Sequence, residues 1–225
     1  KGEEAPCEGN TSARAQSADT ETDGSDTPVN APRRTALFYR ADTFAAVNKS
    51  GFDAVFLSFD AFAALKEGDP LPDGVAIPPV LFDSEEAPVK ERLLHYAERG
   101  VRYALVSSPG AISLARECGL LPVGDFRLNV TNRASADVYR AAGLSGFIAA
   151  AECTPRTADA LGCALITYGR IPLMITERCF VKEHFGCDAC AHASLTDRRG
   201  VLFPVLREHA HRCLVLNSLP TYLGD

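Results

Sequence analysis

The sequence predicts an α/β fold: repeated βα units forming a (β/α) barrel, abbreviated or incomplete, followed by a cysteine-rich module. Three observations carry this reading. Short apolar runs recur from Thr35 onward, each followed by a helix-like segment. The runs are apolar throughout rather than alternating, as in parallel strands buried on both faces. The segments between them carry helix start and stop signals.

The expected strands, in order, are Ala36–Tyr39, Ala54–Ser58, Val75–Phe82, Tyr103–Val106, Phe126–Val130, Phe147–Ala150 and Ala164–Tyr168. Pro88 is expected to open the helix PVKERLLHYAERG, whose Val89, Leu93, Tyr96 and Ala97 share a face and whose end falls at Gly100. Ser108-Pro109 and Thr154-Pro155 each place a capping residue before a proline at the first helical position. ASADVYRAAG stops at Gly143. Such repeated units imply right-handed crossovers and a parallel sheet. An open doubly wound sheet is the other closure, but no G-x-G-x-x-G or Walker sequence follows any of these strands, so the barrel is preferred. Residues 33–225 fall short of the roughly 250 residues of eight full units.

Residues 1–34 read as a disordered acidic tail or linker, 35–178 as the barrel body and 179–225 as the cysteine module. The tail has no aromatic residue and cannot bury enough apolar surface to order itself. No initiator Met begins the chain, and an upstream domain of the same native chain is expected. Of the net charge of −6, the first 32 residues contribute −5, from Lys1 and Arg14 against seven carboxylates. The rest is nearly neutral, so bulk charge neither favours nor excludes a nucleic-acid partner.

With 46% apolar and 23% charged residues, the composition is that of a globular protein, with no apolar stretch near the roughly 20 residues of a membrane span. No signal peptide is evident, so a reducing, cytoplasmic location is expected, with clustered cysteines acting as ligands rather than disulfides. Of the eight cysteines, Cys179, Cys187, Cys190 and Cys213 form the pattern C-x7-C-x2-C-x22-C. Cys118 and Cys163 read as core residues, and Cys7 lies in the tail. Four thiolates can complete one metal shell. Structural zinc normally shows two close pairs, and only Cys187-x2-Cys190 is one. The spacing therefore favours an iron–sulfur cluster and leaves zinc as the alternative.

A parallel barrel carries its site at the C-terminal ends of its strands. The polar residues expected there are Tyr39, Arg40, Ser107, Ser108, Asn129, Asn132, Glu152, Tyr168 and Arg170, with the cysteine module directly after the last strand. Arg127, Asn129 and Asn132 are candidates for substrate binding, Arg127 through its forked guanidinium. Arg170 and Arg178 could serve similarly or pair at the rim. Glu177, Tyr168 and Arg170 are candidates for the chemistry, although Glu177 could instead pair with an arginine. Ser107 and Ser108 read as a helix cap. His184, His192, His209 and His211 lie in the module as solvated residues or extra ligands, while His95 reads as structural. Neither H-E-x-x-H nor G-x-S-x-G occurs, so hydrolytic signatures are lacking.

The blocks LNVTN (Leu128–Asn132), YGRIPLMITERC (Tyr168–Cys179), LTDRRGVLFPV (Leu195–Val205) and NSLPTYLGD (Asn217–Asp225) resemble the collagenase-like peptidase family U-thirty-two. The resemblance runs from about Tyr103 to Asp225. It implies a TIM-like barrel and a [4Fe–4S] cluster held by Cys179, Cys187, Cys190 and Cys213. It also implies a role in hydroxylating ribosomal RNA, transfer RNA or a quinone ring; the older family label implies a peptidase. Phe180 departs from the proline that many relatives carry after the first cysteine. Three functions are therefore expected in turn: an iron–sulfur enzyme acting on RNA, a peptidase, or a non-catalytic zinc-stabilised module.

Overall fold

The fold is taken from a computed structural model, in which residues 32–66, 68–187, 190 and 193–223 are described. The expected disordered tail falls almost wholly outside these residues, as does His192.

Six strands form one parallel sheet in sequential order: β1 (Thr35–Phe38), β2 (Ala54–Ser58), β3 (Gly74–Ala76), β4 (Tyr103–Val106), β5 (Leu121–Gly124) and β6 (Gly146–Phe147). The sheet curls into a half-barrel. After β6, a single parallel bridge between Ile148 and Ala164 continues it. The helices α1 (Ala41–Ala45), α2 (Phe59–Ala63), α3 (Asp83–Glu98), α4 (Pro109–Glu117), α5 (Arg133–Ala141) and α6 (Pro155–Leu161) lie between strands.

The two faces of the sheet have separate cores. Val55, Leu57, Val75, Ala104 and Val106 pack against Phe44, Phe59, Phe62, Val89, Leu93 and Ile112 of the helices. Ala54, Phe56, Tyr103, Leu105 and Val123 fill the concave side. This explains why the runs read as continuously apolar: both phases of each strand are buried. Gly74 makes the concave packing possible. A Cβ there would lie 2.4 Å from the Phe56 ring, which leans across β3 towards Tyr103.

Four expectations need correction, the first being the seventh strand, Ala164–Tyr168, which is reduced to the bridge at Ala164 while Tyr168 pairs antiparallel with Tyr222. The fifth strand is Leu121–Gly124, not Phe126–Val130; Phe126–Leu128 is a 3-10 turn closed by Asn129 at φ 54°. The third strand ends at Ala76, and the residues to Phe82 form the approach to α3. That helix begins at Asp83, where the Glu85 side chain accepts the Phe82 N–H at 3.0 Å and the Glu85 N–H donates to the Phe82 carbonyl at 2.8 Å, so Pro88 lies inside it. The Pro109 and Pro155 starts occur as expected.

The chain then builds a second, antiparallel sheet in the order β8 (Pro172–Thr176), β11 (Arg212–Leu216), β10 (Leu202–Glu208), β9 (Ser194–Thr196). It takes in residues upstream of 178, the expected end of the barrel body. Helix α7 (Phe180–Phe185) lies against it, while β7 (Tyr168–Gly169) pairs with β12 (Thr221–Tyr222). Among the described residues, no helix is long and apolar enough to cross a membrane.

Candidate functional site

The C-terminal ends of β1 to β5 open on a cavity of about 20 Å³ lined by Tyr39, Ser58, Ile77, Ser107, Asp125, Arg127 and Glu208. Asp125 is buried directly after β5. Its carboxylate accepts the Ser107 hydroxyl at 2.9 Å and the Phe126 N–H at 2.8 Å, and forms an ion pair with Arg127. The Tyr39 hydroxyl lies beside the Arg127 guanidinium; burial raises its pKa, and Arg127 opposes the rise.

Glu208 enters this cavity from the other sheet. It ends β10, and the β10–β11 hairpin places its tip, His209–His211, against the half-barrel. His209 Nδ1 sits 3.0 Å from Asp60 Oδ1, with its ring edge-on to Phe59. Burial opposes the charge on Asp60, but His209, Arg92 and Arg207 outweigh it and hold the carboxyl below its usual range. Arg212 is fully buried. It donates to Glu177 Oε2 at 2.7 Å, to both Glu85 oxygens at 3.0 and 3.1 Å, and to the Val80 carbonyl at 3.4 Å. These contacts fix the hairpin on the mouth. Burial raises the pKa of Glu208, and the charge of Asp60 adds to it; the His209 N–H and Arg127 oppose both.

The same hairpin carries Cys213, opposite Arg207 in the β10–β11 ladder. Its Sγ lies 3.4 Å from Sγ of Cys179, the residue that caps α7. Cys179 also receives the Lys182 N–H at 3.3 Å. Burial works against its ionisation, but these donors prevail and lower its pKa. Burial and the bond to Cys179 push Cys213 up to about 11. Val181, Val205 and Val215 surround the pair. Cys187 is exposed. Among the described residues, no group of three or more His, Cys, Asp or Glu side chains is placed so that it could hold a metal ion.

The other candidates disperse. Of those expected for substrate binding, Arg127 lines the cavity, Asn129 is the left-handed residue ending the 3-10 turn, and Asn132 caps α5 by accepting the Ser135 N–H at 3.0 Å. Of those expected for the chemistry, Glu177 is an ion-pair partner of Arg212. Arg170 holds the Asn217 and Ser218 carbonyls, and Tyr168 is exposed against Tyr222. Neither reaches the cavity lining. Arg178 pairs with Glu183. Sequence reasoning missed Asp125 and Glu208. The misplaced fifth strand hid the first; the second arrives from a hairpin with no local signal. Compared with models of known protein families and with curated proteins, the chain has no match.

Proposed function

We propose that this chain is an iron–sulfur-dependent enzyme, or part of one, that hydroxylates RNA, with Cys179, Cys187, Cys190 and Cys213 holding a [4Fe–4S] cluster beside a TIM-like half-barrel. The observation that carries the reading is that the fold gathers Cys179, Cys190 and Cys213 into one apolar cluster. Two sulfurs 34 residues apart in sequence meet at 3.4 Å. What supports a thiolate-bound centre is the chemistry of three of the donors: Cys179, Cys190 and Cys213 present sulfur among apolar residues and a backbone N–H points at Cys179, while Cys187 is exposed. A bound cluster would supply one-electron chemistry. The chain's own residues bind and orient: Arg127 and Tyr39 present donors at the mouth, and Leu37, Ile77 and Leu105 give the cavity apolar walls. The choice of RNA rests on the sequence blocks alone.

Nucleosides from total RNA provide the test. A strain lacking the chain is expected to lose one nucleoside carrying an added oxygen. The wild-type gene restores it, and a Cys179→Ser gene does not. An unchanged nucleoside profile contradicts the proposal.

One observation favours a second reading, a zinc-stabilised module. Two thiolates on a single tetrahedral ion with metal–sulfur bonds near 2.3 Å lie about 3.8 Å apart. The 3.4 Å separation is closer to that than to the wider spacing at the corners of a cluster.

A further inference from the structure

Cys179 and Cys213 are placed to react with each other as well as to share a metal. Cys118, Cys153 and Cys163 each turn their thiol to a backbone carbonyl, at 3.8, 3.8 and 3.5 Å. Cys213 turns instead to a sulfur, that of Cys179, at 3.4 Å. Both residues are buried, at 6% and 1% exposure, and Val181, Val205 and Val215 pack around them. Each sulfur is held by its own element. Cys213 lies inside the antiparallel sheet, paired with Thr176 on one side and Arg207 on the other. Cys179 precedes α7 and takes the Lys182 N–H on its sulfur at 3.3 Å. A disulfide needs the two sulfurs to close by only about 1.4 Å.

We propose that in the metal-free chain Cys179 and Cys213 form a disulfide, made by hydrogen peroxide and broken by a thiol reductant, and that this bond closes the metal site to loading. Peroxide is small enough for so buried a pair. Helix α7 has six residues, too few to be stable alone, so its local opening gives the oxidant access to Cys179. The Cys179 thiolate attacks one peroxide oxygen and the O–O bond breaks. Cys179 becomes a sulfenic acid, and the leaving oxygen takes up the thiol's proton as water. The Cys213 sulfur then attacks the Cys179 sulfur. The S–S bond forms, the S–O bond breaks, and the hydroxyl leaves with the Cys213 proton as a second water. Two thiols have lost two electrons and two protons, and one peroxide has become two waters. Only thiolates ligate metal, so the bond removes two of the three clustered sulfurs from ligation. The disulfide stands on the 3.4 Å contact; its effect on loading rests on the metal reading above.

The test uses the full chain, stripped of metal by a chelator under reductant and then treated with one equivalent of hydrogen peroxide. Free thiols are alkylated, and the chain is digested with trypsin without reduction. Cleavage after Arg178, Lys182 and Arg212 leaves Cys179 in peptide 179–182, Cys213 in peptide 213–225, and Cys187 with Cys190 in peptide 183–198. Mass spectrometry is expected to find 179–182 joined to 213–225, and dithiothreitol to separate them. Cys187→Ser is expected to keep this link. A bond within 183–198 in its place, or peptides 179–182 and 213–225 recovered alkylated and unlinked, overturns the proposal. The mapping is read on the wild-type chain, so it does not depend on a variant folding. Zinc uptake reads the second half. The linked chain is expected to bind zinc at least about tenfold more weakly than the reduced chain, with dithiothreitol restoring it. Equal zinc affinity in the two forms overturns the closing of the site. A reduced chain that links under peroxide but takes up no zinc contradicts the metal reading and leaves the disulfide standing.

Discussion

Cys213 Sγ lies 3.4 Å from Cys179 Sγ, joining the strand after the hairpin tip to the residue that caps α7. The tip itself, through Glu208, His209 and Arg212, is fastened to the half-barrel mouth. The cysteine pair and the cavity are therefore tied by one short stretch of chain, residues 208–213. Whatever disturbs the seating of the tip is expected to disturb both.

Arg212 is the main fastening. Arg212→Ala strands Glu85 in a half-buried position and frees Glu177, which is largely in solvent. Breaking such a pair costs about 3 kcal/mol, the lower end of the range for buried pairs because one partner is solvated. Thermal unfolding should show a loss of roughly 6–12 °C in Tm. A loss below about 2 °C would mean that the hairpin is seated by other contacts.

Glu208 gives stability a pH dependence. Its folded pKa is raised chiefly by burial, so the folded state binds its proton more tightly than the unfolded state does. Its contribution is fully present below the unfolded carboxyl pKa and is lost as pH rises through the folded value. Glu208→Gln is insensitive to this change. Urea unfolding should show wild type and variant converging at acidic pH, with the variant gaining stability relative to wild type toward neutrality. A constant difference across that range contradicts the assignment.

The concave core depends on Gly74. In Gly74→Ala the new methyl meets the Phe56 ring at 2.4 Å, and Tyr103 closes the other side at 3.0 Å. A cost of about 1–3 kcal/mol is expected. Phe56→Leu makes room, so the double variant should be more stable than the sum of the two single losses. Additive losses would place the strain elsewhere.

Asn132 separates capping from ligand binding. Its side chain accepts the Ser135 N–H at the start of α5. Asn132→Ala is expected to cost about 1 kcal/mol, while Asn132→Asp retains a cap acceptor and most of the stability. Denaturant midpoints for both variants decide it. A large loss in Asn132→Asp would show that the amide donor matters as well.

The parallel strands were legible because burial on both faces leaves an unbroken apolar run, as in AVFLS of β2 and YALV of β4. The fifth strand was not. LPVG carries a proline and a glycine that read as a turn, while FRLNV beyond it looks strand-like but turns at Asn129. That displacement also concealed Asp125, which stands directly after the true strand. The cap at Thr154 was legible as a Thr-Pro signal, whereas Asn132, expected to bind substrate, caps α5, and Ser108 precedes α4 without a side-chain cap bond. Glu208 and Arg212 act on partners such as Glu85, 127 residues away from Arg212, and no local pattern encodes such a contact. The four cysteines could be counted from the sequence, but only the fold brings Cys213 onto Cys179.

The most direct measurement is the metal content of the full chain purified without oxygen, with iron, acid-labile sulfide and zinc determined on the same sample. A [4Fe–4S] centre predicts about four irons and four sulfides per chain. It also predicts a brown absorbance that Cys213→Ser diminishes. A colourless protein holding one zinc and no sulfide would contradict the central claim and establish the single-ion reading in its place.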